Sequence, residues 1–365
     1  MFQPEQPRQY TPSHSPVEVY TEWDPLEEVI VGIIDDIRIP DWDPNMHAVI
    51  PEESRDYFKR YAGQRFPDAL VDSARQEMNT LAAILTSEGV KVRRPNEVDH
   101  HQPIVTPHFT SGGAFYSAMP RDCLLAIGNT VIETPMAWRS RYFETFAFRD
   151  ILNDYFARGA HWIAAPKPML KDSLWDSTHC FEQAFPFRAI IKDDEPLFDA
   201  ADFLKLGRDI IGQRSHVTND RGIEWLRRAL GEDYHIHIYE FHDPDPMHID
   251  TTLLPLAPGR VMINAGWVPE IPDIFRDWEI LTPPPSCLPD DHPLFLTSKW
   301  IHVNVLMLDE RTVIVEQDEE RLIQAFKSWG FSTILCPFKH VQSLGGSFHC
   351  ATLDIRRSGS LKRYI

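Results

Sequence analysis

The stretch Glu319-Glu320-Arg321-Leu322-Ile323-Gln324-Ala325-Phe326-Lys327-Ser328-Trp329-Gly330, followed by Ser332-Thr333-Ile334-Leu335, decides the fold class. Leu322, Ile323 and Phe326 fall on one face of a helix, the glycine stops it, and the β-branched run after it reads as a strand. The same order of helix, glycine and strand returns at Ile223 to Leu230 with Gly231 and Tyr234-His235-Ile236-His237-Ile238. It occurs earlier too, where Ala74, Met78, Leu81, Ala82 and Leu85 line one face of a helix over residues 73–87 and Gly89 stands at its stop. That helix partners a buried strand expected over Glu28 to Ile34. Strands at Cys123 to Ile127 and Thr130 to Ile132 precede another helix over residues 142–156, so the chain reads as an α/β protein built from repeated small strand-and-helix modules.

No low-complexity linker separates the modules. The clusters Thr282-Pro283-Pro284-Pro285 and His242-Asp243-Pro244-Asp245-Pro246 read as rigid loops within one body. Residues 1–20 are polar and proline-containing and are expected to form an arm, surface-bound or disordered, ahead of a domain over residues 21–365. The 43% hydrophobic and 25% charged content belongs to a globular protein, and 30 prolines point to many turns.

The formal charge of −18 argues against nucleic acid and anionic membranes as partners and leaves cationic small molecules welcome. Five cysteines, Cys123, Cys180, Cys287, Cys336 and Cys350, form neither a CxxC pair nor a dense framework, which fits a reducing compartment. With no apolar signal core at the N-terminus and no apolar run of membrane-spanning length, a cytoplasmic protein is expected.

The chemistry concentrates in three segments. Ser343-Leu344-Gly345-Gly346-Ser347-Phe348-His349-Cys350 is a glycine-rich turn that delivers one cysteine into an apolar run. Glycines there let the backbone take φ > 0 or approach a ligand closely, as a presented nucleophile requires. In Pro246-Met247-His248-Ile249-Asp250, the carboxylates of Asp243, Asp245 and Asp250 would favour a protonated His248, a proton donor for a leaving amine. In Phe198-Asp199-Ala200-Ala201-Asp202-Phe203, Asp202 reads as the cap of a helix-like run Phe203 to Leu206, leaving Asp199 for the pocket. The histidine spacings match no zinc site, and neither GxxxxGK[ST] nor a strand-linked GxGxxG occurs, so no metal, cofactor or nucleotide is expected. These parts suit a thiol enzyme acting on a cation.

At these residues the sequence resembles the amidinotransferases, the family of glycine amidinotransferase and inosamine-phosphate amidinotransferase within the guanidine-modifying superfamily. The likeness runs from about Ser117 to the C-terminus through Tyr116-Ser117-Ala118-Met119-Pro120-Arg121-Asp122, Pro135 to Arg139, Phe198 to Phe203, Gly207 to Ile210, Gln213 to Ser215, Pro246 to Asp250, Ser298-Lys299-Trp300 and Gly345 to Cys350. The resemblance implies a single-domain, five-bladed pseudo-symmetric α/β propeller of ββαβ modules. It implies Cys350 as nucleophile, His248 as acid/base, Asp199 as its partner and a guanidinium contact, and Asp250 as a further guanidinium contact. The reaction it implies moves an amidino group from L-arginine or a related guanidine to a primary amine through a covalent amidino-cysteine. A homodimer is an expected assembly.

Departures from the family pattern fall at ligand-reading positions. His108, in Thr106-Pro107-His108-Phe109, stands where glycine amidinotransferases carry an aspartate, and the following loop Thr110 to Ala114 is one residue longer. Asp245 replaces an asparagine, Asn264-Ala265-Gly266-Trp267 occupies the region of a carboxylate-binding arginine, and Thr297 with Ser298 takes the place of two serines. Altered substrates on unaltered chemistry follow. The alternatives are a guanidine hydrolase using the same Cys-His-Asp site, and a non-catalytic binding protein on the same fold.

Overall fold

In the computed structural model, which describes residues 15–179, 187–244 and 246–364, strands gather into five separate three-stranded sheets of one pattern. In each, a central strand has an antiparallel partner on one side and a parallel partner on the other. The second sheet shows it plainly: Leu124–Ile127 runs antiparallel to Thr130–Glu133, and His161–Ala164 returns parallel after the helix Arg149–Ala157. A parallel return needs a crossover, and a helix supplies one.

The antiparallel partners Leu124–Ile127, Phe203–Leu206, Leu253–Ala257 and Leu306–Met307 are buried at every residue, whereas the parallel returns are largely exposed or half-buried. Each sheet therefore grades from an inner to an outer strand. The inner strand of the first sheet is Thr352–Arg357, which pairs with Leu26–Val31 and joins the end of the chain to its beginning. That closure carries the segment just before Thr352 into the middle of the molecule.

The expected helix faces are buried: Ala74, Met78, Leu81 and Leu85 in Asp68–Ser87, and Leu322, Ile323 and Phe326 in Glu320–Ser328. Gly89, Gly231 and Gly330 follow their helices at φ of 85°, 70° and 87°, and Gly159 does the same at 100° after Arg149–Ala157. This left-handed conformation ends a helix without cost only at glycine. The remaining crossover holds just the short 3-10 turn Asp273–Phe275, because Pro269 and Pro272 deny its segment backbone donors.

Two expectations are corrected. The body starts before residue 21, since Val17 and Val19 have 0% exposure and Val19 bridges Gly128; residues 1–14 lie outside the described residues. Phe203–Leu206 is a strand, so Asp202 caps no helix. Its buried carboxylate instead accepts hydrogen bonds from Gln213, Ser215 and Thr218, and burial pushes its carboxyl up to about 7.

Between the inner strands lies a chain of buried charges. Glu22 pairs with Lys205 at 2.8 Å and with Arg121 at 3.4 Å, Arg121 with Asp354 at 2.9 Å, and Asp354 with Arg357 at 2.9 Å. Such a network fixes the relative register of segments from distant sheets, because breaking one buried pair typically costs about 3–5 kcal/mol. No helix among the described residues is long and apolar enough to cross a membrane.

Candidate active site

The short turns that lead into the inner strands carry the reactive side chains. Asp122 precedes Leu124–Ile127, Asp199 precedes Phe203–Leu206, His248 and Asp250 precede Leu253–Ala257, Asn304 precedes Leu306–Met307, and Cys350 precedes Thr352–Arg357. One repeated position in five modules thus supplies one site. Gly345 has φ of 107°, and a Cβ on Gly346 would lie 2.5 Å from the Met119 sulfur and 2.9 Å from the Cys350 Cβ. Both glycines of the turn are required for it to pass this close to the cysteine.

Cys350 is 3% exposed; its backbone N–H donates to Asn304 Oδ1 at 3.1 Å and its thiol to Asp250 Oδ2 at 3.6 Å. The imidazole of His248 stands between two carboxylates, with Nε2 3.1 Å from Asp199 Oδ2 and Nδ1 3.7 Å from Asp122 Oδ1. Reactive atoms of Asp122, His248 and Cys350 lie within 4.8 Å of one another. A cavity of about 330 Å³ opens onto this cluster, lined by His248, Asp250 and Cys350 together with Met247, Trp267, Thr297 and Ser298 among others.

Burial opposes charge on His248, but the charge of Asp122, the hydrogen bond the ring donates to Asp199 and the hydrogen bond with Cys350 outweigh it and hold the ring well above its usual range. Burial, and then the charge of Asp250, push the Cys350 thiol up to about 12 against the lowering pull of His248. The resting pair is therefore a neutral thiol beside an imidazolium. Burial would raise Asp250 as well, but the hydrogen bond and charge of His349 prevail and keep it ionised. His349 Nδ1 lies 2.7 Å from Asp250 Oδ2 and its Nε2 lies 3.1 Å from Glu22 Oε2, so the ion network reaches the site through the residue next to the cysteine.

Three buried carboxylate oxygens, Asp122 Oδ1, Asp199 Oδ1 and Asp250 Oδ1, have no hydrogen-bond partner. An unpaired buried carboxylate oxygen is costly, and a planar cation rich in N–H groups would offset it. Asp122, His248 and Cys350 are also metal-ligand types. An imidazolium turned toward carboxylates has no lone pair to give an ion, so this set fits a metal poorly.

Of the residues singled out from the sequence, Cys350, His248, Asp199 and Asp250 converge here, and Thr297 and Ser298 line the cavity. His108 does not: it is exposed on the loop between Ile104–Val105 and Thr110–Ser111 and is absent from the cavity wall. Asp245 lies outside the described residues. Among the described residues, Asp122 and Asp199, both distant in sequence, pair with the His248 ring. Asp122, Asn304 and His349 are additions; Asp122 closes the segment Tyr116 to Asp122, the signal that could have found it. The described cysteines Cys123, Cys287, Cys336 and Cys350 are all free, and Cys180 lies outside the described residues.

The charge state of His248 gives a direct check. Its ring resonances should remain those of a doubly protonated imidazole well above pH 6.5, and Asp199→Asn should bring the titration down, both followed by NMR of the labelled ring. A wild-type ring that loses its proton below pH 7 contradicts this electrostatic picture.

No family model matches the chain. Over 352 residues, covering 96% of this chain and 97% of the relative, it is 51% identical to the L-arginine:L-lysine amidinotransferase of Pseudomonas savastanoi pv. phaseolicola. The chain belongs to the amidinotransferase family. The mitochondrial glycine amidinotransferase of Gallus gallus is 44% identical over 369 residues, covering 97% of this amidinotransferase and 86% of the relative.

Among solved structures, an amidinotransferase of the saxitoxin biosynthetic pathway from Microseira wollei superimposes with a TM-score of 0.89 at 46% identity, covering 96% of this amidinotransferase and 100% of that chain. The inosamine-phosphate amidinotransferase of Streptomyces griseus gives 0.87 at 38% identity, with 96% and 99% covered. A dimethylarginine dimethylaminohydrolase from Pseudomonas aeruginosa shares the fold at a TM-score of 0.56 and 13% identity, over 90% of this chain and 99% of that one. The protein is thus a single-domain α/β enzyme of the amidino-transferring kind, taking a guanidine donor and an amine acceptor.

Proposed function

We propose that this amidinotransferase moves the amidino group of L-arginine, or of a related guanidine, to a primary amine through a covalent intermediate on Cys350, with His248 as acid/base and Asp199 as its partner. One observation carries the reading: Cys350, His248 and Asp250 face one cavity while the carboxylates beside them keep unpaired buried oxygens. The L-arginine:L-lysine amidinotransferase at 51% identity supports arginine as donor.

The chemistry follows from the charges. A guanidinium carbon is a poor electrophile, so its plane must be fixed before a sulfur can attack its face. Asp250 and Asp199 offer the oxygens for that plane. An entering cation offsets the carboxylates that hold the thiol up, so the Cys350 proton is released as the substrate binds. The thiolate forms the S–C bond, the C–N bond to the departing amine breaks, and His248 gives that amine its proton. The acceptor amine then reverses these steps, with His248 as base.

The five like-patterned sheets, four of them with an α-helix in the crossover, support a five-bladed pseudo-symmetric propeller of ββαβ modules. The free cysteines support a reducing, cytoplasmic setting, and a homodimer is the assembly we infer for it.

Product partition tests the function. With L-arginine and a panel of primary amines, ornithine and the guanidinylated amine should form together, followed by mass spectrometry. With arginine alone, release should stop near one equivalent of ornithine per enzyme. Continuous citrulline formation without added amine would make the protein a hydrolase instead. Hydrolase resemblance rests at present on a fold shared at 13% identity.

A further inference from the structure

Glu52, Glu53, Asp243 and Asp250 all line the cavity that holds Cys350, and among the described residues no lysine or arginine does. Glu52 and Glu53 are exposed in the first turn of the helix Glu52–Tyr61, and neither forms an ion pair or hydrogen bond among the described residues. Deeper in the same cavity, Asp250 is 1% exposed with Oδ1 unpartnered. Trp267, half-buried, adds an aromatic surface that attracts cations. The cavity is therefore built for positive charge at its wall as well as at its floor.

We infer, resting on the function proposed above, that the acceptor is a diamine-type dication, with Glu52 and Glu53 as specificity-determining residues that hold its second ammonium. The first amino group, uncharged, forms the N–C bond to the amidino carbon as the S–C bond to Cys350 breaks. Its proton passes to His248, which is neutral after protonating the donor's leaving amine, and the sulfur leaves as thiolate. The second ammonium stays charged and takes no part in bond making. An acceptor without it forgoes the attraction of two otherwise unpaired carboxylates, and one that ends in a carboxylate meets repulsion.

The test uses the full-length protein charged with L-arginine, then putrescine and cadaverine against butylamine and pentylamine, which differ only in lacking the second ammonium. Each diamine should exceed its matched monoamine by on the order of 10-fold in kcat/KM, and the preference should shrink in molar salt. In the Glu52→Gln/Glu53→Gln double variant the diamine-to-monoamine ratio should fall toward one, and Glu53→Gln alone should move it the same way. Equal use of diamine and monoamine by the parent protein overturns the inference, as does a double variant that keeps the full ratio and loses only thermal stability, the result expected if the two glutamates serve the helix terminus alone. The salt series needs no variant and decides the matter even where a variant fails to fold. Ornithine released from arginine separates the two levels: with ornithine and no diamine preference only this inference fails, and without ornithine the proposed function fails with it.

Discussion

Cys350→Ser should lose on the order of 10⁴–10⁶ in turnover while still binding the guanidine donor within a few-fold of wild type. A serine hydroxyl at this position is a far weaker acid than a thiol already pushed up to about 12, and the carboxylates around it would oppose its ionisation further. The oxygens that would receive the guanidinium, on Asp250 and Asp199, remain in place, so binding measured by calorimetry separates lost chemistry from lost recognition. Activity of Cys350→Ser within 10-fold of wild type would be incompatible with sulfur as the nucleophile.

The second large effect is expected at Asp199. Asp199→Asn keeps the shape of the side chain but removes the charge that His248 Nε2 faces at 3.1 Å, leaving Asp122 at 3.7 Å as the remaining carboxylate on the ring. The ring then loses both orientation and part of its hold on a proton, and kcat should fall by on the order of 10²–10⁴. The pH dependence has a definite sign. Because the wild-type ring is held above its usual value, the rate limb that needs a protonated donor extends to high pH, and in Asp199→Asn that limb should move to lower pH. Full pH–rate profiles of both proteins check this; an unmoved limb would assign the proton to another group.

Much of this was legible in the residues. Helix, glycine and strand at residues 320–336 and 220–239 announce the module because the helix stripe, the left-handed stop and the β-branched run are all local signals. Cys350, His248 and Asp199 stand out because each sits in a short polar interruption of an apolar run. The remainder depends on contacts across the fold. Asp122 meets His248 only because their turns lead into inner strands of different sheets, and no local pattern records that meeting. Asp122 and Asp199, which pair with the His248 ring and help hold it charged, lie far from it in sequence. Asp202, three residues from Asp199, looked like a cap because a single turn cannot reveal that Gln213, Ser215 and Thr218 wait in the next strand and loop. His108 was read from the resemblance to the family, and it stands exposed on the loop between Ile104–Val105 and Thr110–Ser111, off the cavity wall.

The arrangement also explains how Cys350 reaches the middle of the molecule. The strand after it, Thr352–Arg357, is the inner strand of the first sheet, so the last turn of the chain is held by Leu26–Val31 and by the pairs of Asp354 with Arg121 and Arg357. Position in sequence and position in space are opposite here: the first sheet is completed by the last strand.

The most direct test of the account is the mass of Cys350 itself. Acid-quenched enzyme, taken after mixing with L-arginine and before any acceptor is added, should carry one added amidino group, mapped by peptide mass spectrometry to the peptide containing Cys350 and discharged when an amine is supplied. An unmodified Cys350 during steady turnover, or an adduct on a different cysteine, would contradict it.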